Sequence, residues 1–584
     1  MNKYVRKLFS MVLQSPQTPQ VVRGQPQHSP TSPEEWRQHW QSQGQPWRIE
    51  PEIDAKRREE LRNHRTISPD VEKGIYPFNG MELNRADVEW LLATHEDEKG
   101  PVNWGDEEQR KRRGLDLRGA NLRNADLHAL PLACLIGGLG DEEMEMEMTA
   151  LLNGKAGGNA ALVCLEGADL RNVHLEGAKL RQANLKNADL LEAHLQAADL
   201  SWSHLNGAWL DKTHLEHADL SHAWLLAANL DDARLEGADL SQAHAEGAFC
   251  NRVHLENANL FGTYLEKSSL QNAFLNKASL RHAYLSGANL HGAHLEGADL
   301  SKAHFNGKSM LDEEEDVWGG ELDRVRKWYH GLRWRGMEDN LDLEELGELV
   351  EEFPEILPPA DLSGAFFDVA TQIEGAIFGE PRYGWVNVVD MHWGDAYLMH
   401  INWSQVSRLG DERAARQKKQ SGKKKDISVL LDDFTKAVRA NRQLAIALEN
   451  QGLNEDARHF ARRSCDLQRK LYWKRRNFWK WLGSAILALL AGYGYQMWRI
   501  LVAYVFVVLL CAGAYYVLGM YYKPPLSLLE AILTSITAFH GRVFSEPFLQ
   551  PGDPQLWVTA FEAVTGFVIE GVFIAMLTQK FFGK

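Results

Sequence analysis

From Leu165 to Phe305, every fifth residue is leucine, except Ala245, Cys250 and Phe305 itself, which makes 26 leucines in 29 positions. Two residues before each of these positions the side chain is small: Ala168, Ala178, Ala183 and Ala188 set the pattern, and Val163, Ser203 and Thr213 are among its exceptions. A period of five matches neither the 3.6 of a helix nor the 2 of a strand, so neither element can bury these leucines on one side. A coil with four short sides of five residues can. Each leucine then points inward, and each small residue occupies the crowded corner of the same interior.

The pattern A-(D/N)-L-x-x resembles the pentapeptide-repeat family, continuously from Leu165 to Phe305. The resemblance implies a right-handed quadrilateral β-helix. Its 29 repeats would make about seven coils of twenty residues, a rod of roughly 35 Å at ~4.8 Å per coil. An earlier block, DLRGANLRNADL, carries Leu117, Leu122 and Leu127 in a different register, and a later one, ADLSGAFF, carries Leu362 and Phe367. Two insertions separate these blocks from the core 163–307. One, at about 133–162, holds the acidic run EEMEMEM; the other, at about 307–358, is acidic, Trp-rich and expected to be helical.

In this fold the residue before each leucine faces outward, in columns stepping by twenty. One column reads His174, His194, His214, Arg234, His254, Phe274, His294; the opposite one reads His204, Trp224, His244, Tyr264, Tyr284, His304. The other two are mostly Asp and Asn, such as Asp199, Asp219 and Asp239 on one and Asp169, Asp189 and Asn229 on the other. Stacked ladders that stabilise neighbouring coils account for them. A pH-sensing histidine stack or a metal ladder are the functional alternatives. No metal and no cofactor is assigned.

The whole chain has 584 residues and a net charge of −15. That length implies several domains. The charge is polarised: residues 411–480 hold 19 Lys/Arg against 9 Asp/Glu, a net of +10, which leaves −25 on the rest. A basic surface of this kind is aimed at a partner. Cys134, Cys164, Cys250, Cys465 and Cys511 show no metal-type spacing and fit a reducing compartment. The basic start MNKYVRKLFSMVL has too short an apolar run for a signal peptide.

Composition and pattern divide the chain into five segments. Residues 1–35 are a Gln/Pro/Ser-rich disordered tail, and 36–113 a small helical cap with Trp36, Trp40 and Trp47. Residues 114–410 carry the repeats, ending in irregular coils or a cap. Residues 411–480 are a basic helical hairpin broken at Gly452 and Asn454, similar to the TPR-like hairpin that precedes the membrane in pentapeptide-repeat channel proteins. Residues 481–584 form a membrane domain.

Within that domain, ILVAYVFVVLLCAGAYYVLG (500–519) has twenty uncharged residues, enough at 1.5 Å each to cross ~30 Å of hydrocarbon. A second span covers 557–578 and contains Glu562 and Glu570, flanked by Gly566 and Gly571. Acids inside a span normally face protein or water. The apolar stretch 481–494 is too short to cross and reads as an interfacial or re-entrant helix. Lys474, Arg475, Arg476 and Lys480 precede it. These cations place that side in the cytoplasm and suit anionic headgroups rather than nucleic acid. Both termini then lie on the cytoplasmic side.

Between the spans, Ser527 and Glu530 form a capping box opening a helix at 527–540 that ends at His540-Gly541. At ~18 Å it is too short to cross. A capped half-length helix between two spans is the plan of a re-entrant pore loop. LTSITAF and EAVTG resemble the pore-helix end and inner-helix start of the two-transmembrane pore-loop domain of the potassium-channel superfamily, over about 500–582. The resemblance implies a homotetramer around a permeant ion. The family's filter T-V-G-Y-G is absent; Phe539, His540, Gly541, Arg542, Val543 and Phe544 stand there. Gly492-Tyr493-Gly494 precedes the first span and cannot serve.

Pore or filter candidates are therefore Thr537, Phe539, His540, Gly541 and Arg542. Inner-helix pore or gate candidates are Glu562, Gly566, Glu570 and Gly571. Four helix C-termini at about −0.5 each favour cations. Four Arg542 side chains would outweigh them if they face the axis, whereas pairing with Glu546 or Asp553 would remove that effect. Ion selectivity stays open, with potassium selectivity disfavoured.

Three functions compete. The first is an oligomeric ion channel with a cytoplasmic repeat domain as sensor or assembly device. The second is a membrane-tethered scaffold whose rod binds an unknown protein or ligand. The third, an enzyme, finds no support: no G-x-S-x-G, P-loop, G-x-G-x-x-G or H-E-x-x-H occurs in a suitable context. The N-terminal run WRQHWQSQGQPWRIEPEI is similar to bacterial multidomain pentapeptide-repeat proteins, which implies a bacterial inner membrane.

Overall fold

A computed structural model describes residues 30, 32–140, 143, 144, 146, 161–305, 359–380, 384–403, 406, 408–417, 419, 420, 423–492, 498–521, 526–542 and 554–582. Most of the expected N-terminal tail, most of the first insertion, the second insertion from 307, Gly494, Phe544, Glu546 and Asp553 lie outside these residues.

The repeat region is a stack of coils joined by isolated parallel bridges, each between residues twenty apart: Asp169 to Asp189, Asp189 to Trp209, Trp209 to Asn229. The bond pattern is reciprocal. Leu170 N–H donates to the Asp189 carbonyl at 2.7 Å, and Asp189 N–H donates to the Ala168 carbonyl at 3.0 Å. Each side thus contributes one bridging residue rather than an extended strand; among the described residues, the named strands all lie C-terminal to Phe305.

Each corner is a turn closed by a bond such as Ala168 N–H to the Leu165 carbonyl, 3.1 Å. Its third residue is left-handed: every fifth residue from Gly167 to Lys302 has φ between 53° and 74°. That is a type II turn. Most of these positions are not glycine; Gln182, Glu192, Trp202 and Lys212 adopt the same conformation. The strain is offset by the interior, where Leu175, Leu210, Leu215 and Leu275 and the alanines between them are fully buried. Each such leucine contributes roughly 2 kcal/mol.

The flanking blocks join the same stack. Asn121, Asp126 and Pro131 bridge Cys164, Asp169 and His174, all 43 residues apart. The different register seen in the sequence is therefore 23 extra residues between adjacent coils. Asn289 bridges Asp361 and His294 bridges Phe366, 72 apart, so the register also survives 52 extra residues there. Asn387 and His392 then bridge Asp361 and Phe366, continuing the coils where the sequence allowed either coils or a cap.

Helices α1 (Pro33–Ser42), α2 (Ala55–Arg65), α3 (Arg85–Ala93) and α4 (His95–Glu98) close the N-terminal end. Leu61, Phe78, Val88 and Leu91 are buried in one core with Leu117 and Leu122 of the first coil. Buried Glu89 accepts from Ile49 N (2.9 Å), Glu50 N (3.0 Å) and Arg85 Nε (2.8 Å), tying the preceding loop to α3.

At the other end lie the two-residue hairpin β1 (Gly379–Glu380) and β2 (Gly384–Trp385), then α5 (Gly410–Arg416) and a second hairpin, β3 (Lys419–Gln420) with β4 (Lys423–Lys424). Helices α6 (Ile427–Asn450) and α7 (Asn454–Lys474) form the basic hairpin. Leu444, Leu448 and Phe460 share the core of the last coil, with Phe460 edge-on to Trp403 at 5.8 Å. Four further helices follow: α8 (Phe478–Ala491), α9 (Trp498–Tyr521), α10 (Leu528–Phe539) and α11 (Pro554–Phe582).

Candidate functional site

Two of these helices, α9 and α11, are long and apolar enough to cross a membrane. They expose apolar faces: Leu501, Phe506 and Leu509 on α9, Phe561, Val564 and Phe567 on α11. The half-length α10 packs against both. Its start is fixed by the Ser527–Glu530 box. Ser527 Oγ accepts from Glu530 N at 3.3 Å, and Glu530 Oε2 accepts from Ser527 N at 2.9 Å.

Its end is a Schellman stop. Gly541 N–H donates to Ala538 and Arg542 N–H to Thr537, both at 2.9 Å, with Gly541 at φ +70°. That glycine is required by the helix C-terminus itself, a simpler role than filter backbone. Thr537 bonds back to its own helix, 2.9 Å from the Thr534 carbonyl. Phe539 is buried edge-on to Tyr504, with ring centres 4.7 Å apart. Arg542 is exposed at the limit of the described stretch.

Polar groups lock the middle of α10. The Ser535 hydroxyl bridges the Val508 carbonyl of α9, at 2.9 Å, and the fully buried Glu562 carboxyl group of α11. Tyr515 Oη lies 3.0 Å from Thr559 Oγ1 beside them. Sequence patterning singled out Glu562 as a pore or gate candidate; the structure turns it, with Gly566, toward α10 instead of open space. The reason is packing, since both lie on the helix face that α10 covers. Glu570 is partly exposed and its Oε1 contacts His540 Nδ1. Gly571 has open space around it. His540 and Glu570 are thus the candidates that the fold brings together. Ser535 was not singled out from sequence; a serine three residues from apolar neighbours on either side gives no signal until its acidic partner is placed.

At the junction of α7 and α8, Lys474, Arg475, Arg476 and Lys480 are exposed. Arg475 Nη2 donates to Thr435 Oγ1 at 3.1 Å.

Two of the four outward columns stack as ring ladders. His174, His194 and His214 follow one another at 4.6 and 4.9 Å with planes within 7°, and Trp224, His244 and Tyr264 at 4.3 and 4.5 Å. Neighbouring rings differ electrostatically. The Glu176 carboxylate, 2.9 Å from Nδ1, raises His174, while burial and the adjacent His174 lower His194. His174, Glu176 and His194 have ligand atoms near one another. Parallel stacking, however, directs the imidazole lone pairs side by side rather than to one point, which suits a ladder better than an ion.

The sequence profile described as pentapeptide repeats matches residues 164–201, 198–237, 233–272 and 268–307. No curated protein matches the chain. Among solved structures, HetL, a pentapeptide repeat protein involved in heterocyst differentiation regulation from the cyanobacterium Nostoc sp. strain PCC 7120, is 23% identical over 54% of this chain and 95% of its own, with a TM-score of 0.19. The pentapeptide repeat protein alr5209 from Nostoc PCC 7120 is 33% identical over 17% of this chain and 69% of its own, TM-score 0.09. QnrB1, a plasmid-mediated fluoroquinolone resistance protein, is 15% identical over 32% of this chain and 71% of its own, TM-score 0.17. With scores this low, identification rests on the repeat profile over 164–307 and on the chain's own twenty-residue bridges. The chain carries a pentapeptide-repeat domain.

Proposed function

We propose that this protein is an oligomeric membrane ion channel of a bacterial inner membrane. The coil stack, read as a right-handed quadrilateral β-helix, serves as its cytoplasmic sensor or assembly domain. The observation that carries the reading is α10, a capped helix of 12 residues held between two apolar helices of 24 and 29. A bare anchor has no use for it. Two spans cannot enclose a pore alone, so several copies, four by resemblance to pore-loop channels, surround one axis. Lipid and the permeant ion are its partners, and catalysis forms no part of the reading.

His540 with Glu570, at the end of α10, supports an aqueous lining more than Glu562 does, because the former pair is partly exposed and the latter buried. Arg542 decides the sign of the permeant ion if it faces the axis. The experiment is planar-bilayer recording of the purified protein in KCl and sodium gluconate gradients. An anion-shifted reversal potential that disappears in Arg542→Ala places the guanidinium on the axis. Absence of conductance under any stimulus sinks the channel.

A second reading, a membrane-tethered interaction scaffold, draws on Trp209 and Phe249. They lie in one column two coils apart and are 59% and 51% exposed, the kind of apolar surface that a protein partner covers.

A further inference from the structure

A cleft of about 360 Å³ opens where α6, α7 and α8 meet. Phe434 from α6, Arg469, Lys470, Trp473 and Lys474 from α7, and Trp481 from α8 line it. It exists because α7 ends at Lys474 and the chain turns directly into α8, bringing Trp473 and Trp481 to 5.0 Å. Lys474 Nζ stands 5.1 Å from the Phe434 ring centre, within cation–π range. Arg469 is paired with Asp466 at 3.1 Å. Among the described residues, neither Lys470 nor Lys474 has a carboxylate within ion-pair distance. Burial and the nearby Arg416 hold Lys470 below the usual ammonium range, with Asp466 and Glu412 offsetting only part of the effect.

Cations beside aromatic rings recognise an anion attached to an apolar body. The apolar surface continues along α8, where Phe478, Trp479, Leu487 and Leu489 are exposed. A soluble phosphate would satisfy the lysines and leave these rings uncovered; a phospholipid satisfies both.

We propose that this cleft binds one anionic phospholipid of the cytoplasmic leaflet, its phosphate between Lys470 and Lys474 and its first acyl carbons on Trp473 and Trp481. The proposal rests on the membrane reading of α9 and α11. It is distinct from general attraction of the surface by Arg476 and Lys480, which do not line the cleft.

Native mass spectrometry of the detergent-purified full chain, offered phosphatidylglycerol or phosphatidylcholine, tests it. The unmodified protein should retain phosphatidylglycerol about tenfold better. Lys470→Gln with Lys474→Gln should abolish most of that preference, whereas Lys470→Arg with Lys474→Arg should keep it, which separates charge loss from misfolding. Arg476→Gln with Lys480→Gln should change it less than about twofold. Equal losses in the cleft and control pairs overturn the proposal, as does displacement of the lipid by glycerol phosphate alone, which would make this a soluble-phosphate site. A protein that needs no detergent sinks the membrane reading itself; one that needs detergent yet shows no lipid preference sinks only the cleft.

Discussion

A Cβ placed on Gly566 would lie 2.0 Å from the Phe539 carbonyl oxygen. The contact is backbone to backbone, so no rotamer change relieves it. Gly566→Ala should separate α10 from α11 and destabilise the packing of the C-terminal apolar helices by roughly 2–3 kcal/mol, the scale of overpacking a tight core. Thermal unfolding in detergent reads this as a lowered midpoint. Gly571→Ala, with open space around it, should leave the midpoint nearly unchanged, and equal effects would refute the close packing.

Leu215 is fully buried in the coil interior. Leu215→Ala should cost about 2–5 kcal/mol. In a stack where each coil touches only its neighbours, the loss stays local. Amide hydrogen exchange of the full chain should rise between about residues 195 and 235 and stay unchanged near residues 120 and 290. Uniform acceleration across the stack would contradict local coupling.

The carboxylate of Glu412, fully buried, accepts from Arg463 Nε at 3.0 Å and Nη2 at 2.6 Å. This pair ties α5 to α7. Glu412→Gln leaves the guanidinium short of its counter-charge and should destabilise the hairpin's attachment by about 1–3 kcal/mol, less than a wholly buried pair because Arg463 is partly exposed. Limited proteolysis should then cut near α5 at lower protease doses; unchanged cleavage would count against the tie.

Asp411 is buried at the start of α5 and accepts from Val388 N at 2.9 Å. Burial, with Asp361 nearby, pushes its pKa up from 3.8 to about 7. The sign follows from linkage: a raised folded-state pKa stabilises below the unfolded value and loses that contribution as pH rises. Stability from this group should fall between about pH 4 and 7 and level off above, by at most ~4 kcal/mol. Asp411→Asn should flatten that slope in unfolding measurements from pH 5 to 8. An unchanged slope would exclude Asp411 as its source.

Legibility in the sequence followed chemistry. The coil interior was readable because leucine and a small residue recur at fixed offsets, and α10 because Ser527 and Glu530 announce its start. The turn corners were hidden: residues such as Gln182 and Lys212 adopt left-handed backbone without the glycine that usually signals it. The shared register of the early block was hidden too, since bridges across 43 residues depend on spatial neighbours, not on spacing. At the candidate site, Glu562 read as a pore group because its two possible environments, water or a neighbouring helix, have the same sequence signature; only the placement of Ser535 distinguishes them.

The bridge from Asn289 to Asp361 keeps the ladder in phase across 52 additional residues. A structure that counts by spatial neighbours has an address at that corner where cargo can be exchanged freely. Evolution, or an engineer, can swap what is carried there without retuning the rungs on either side.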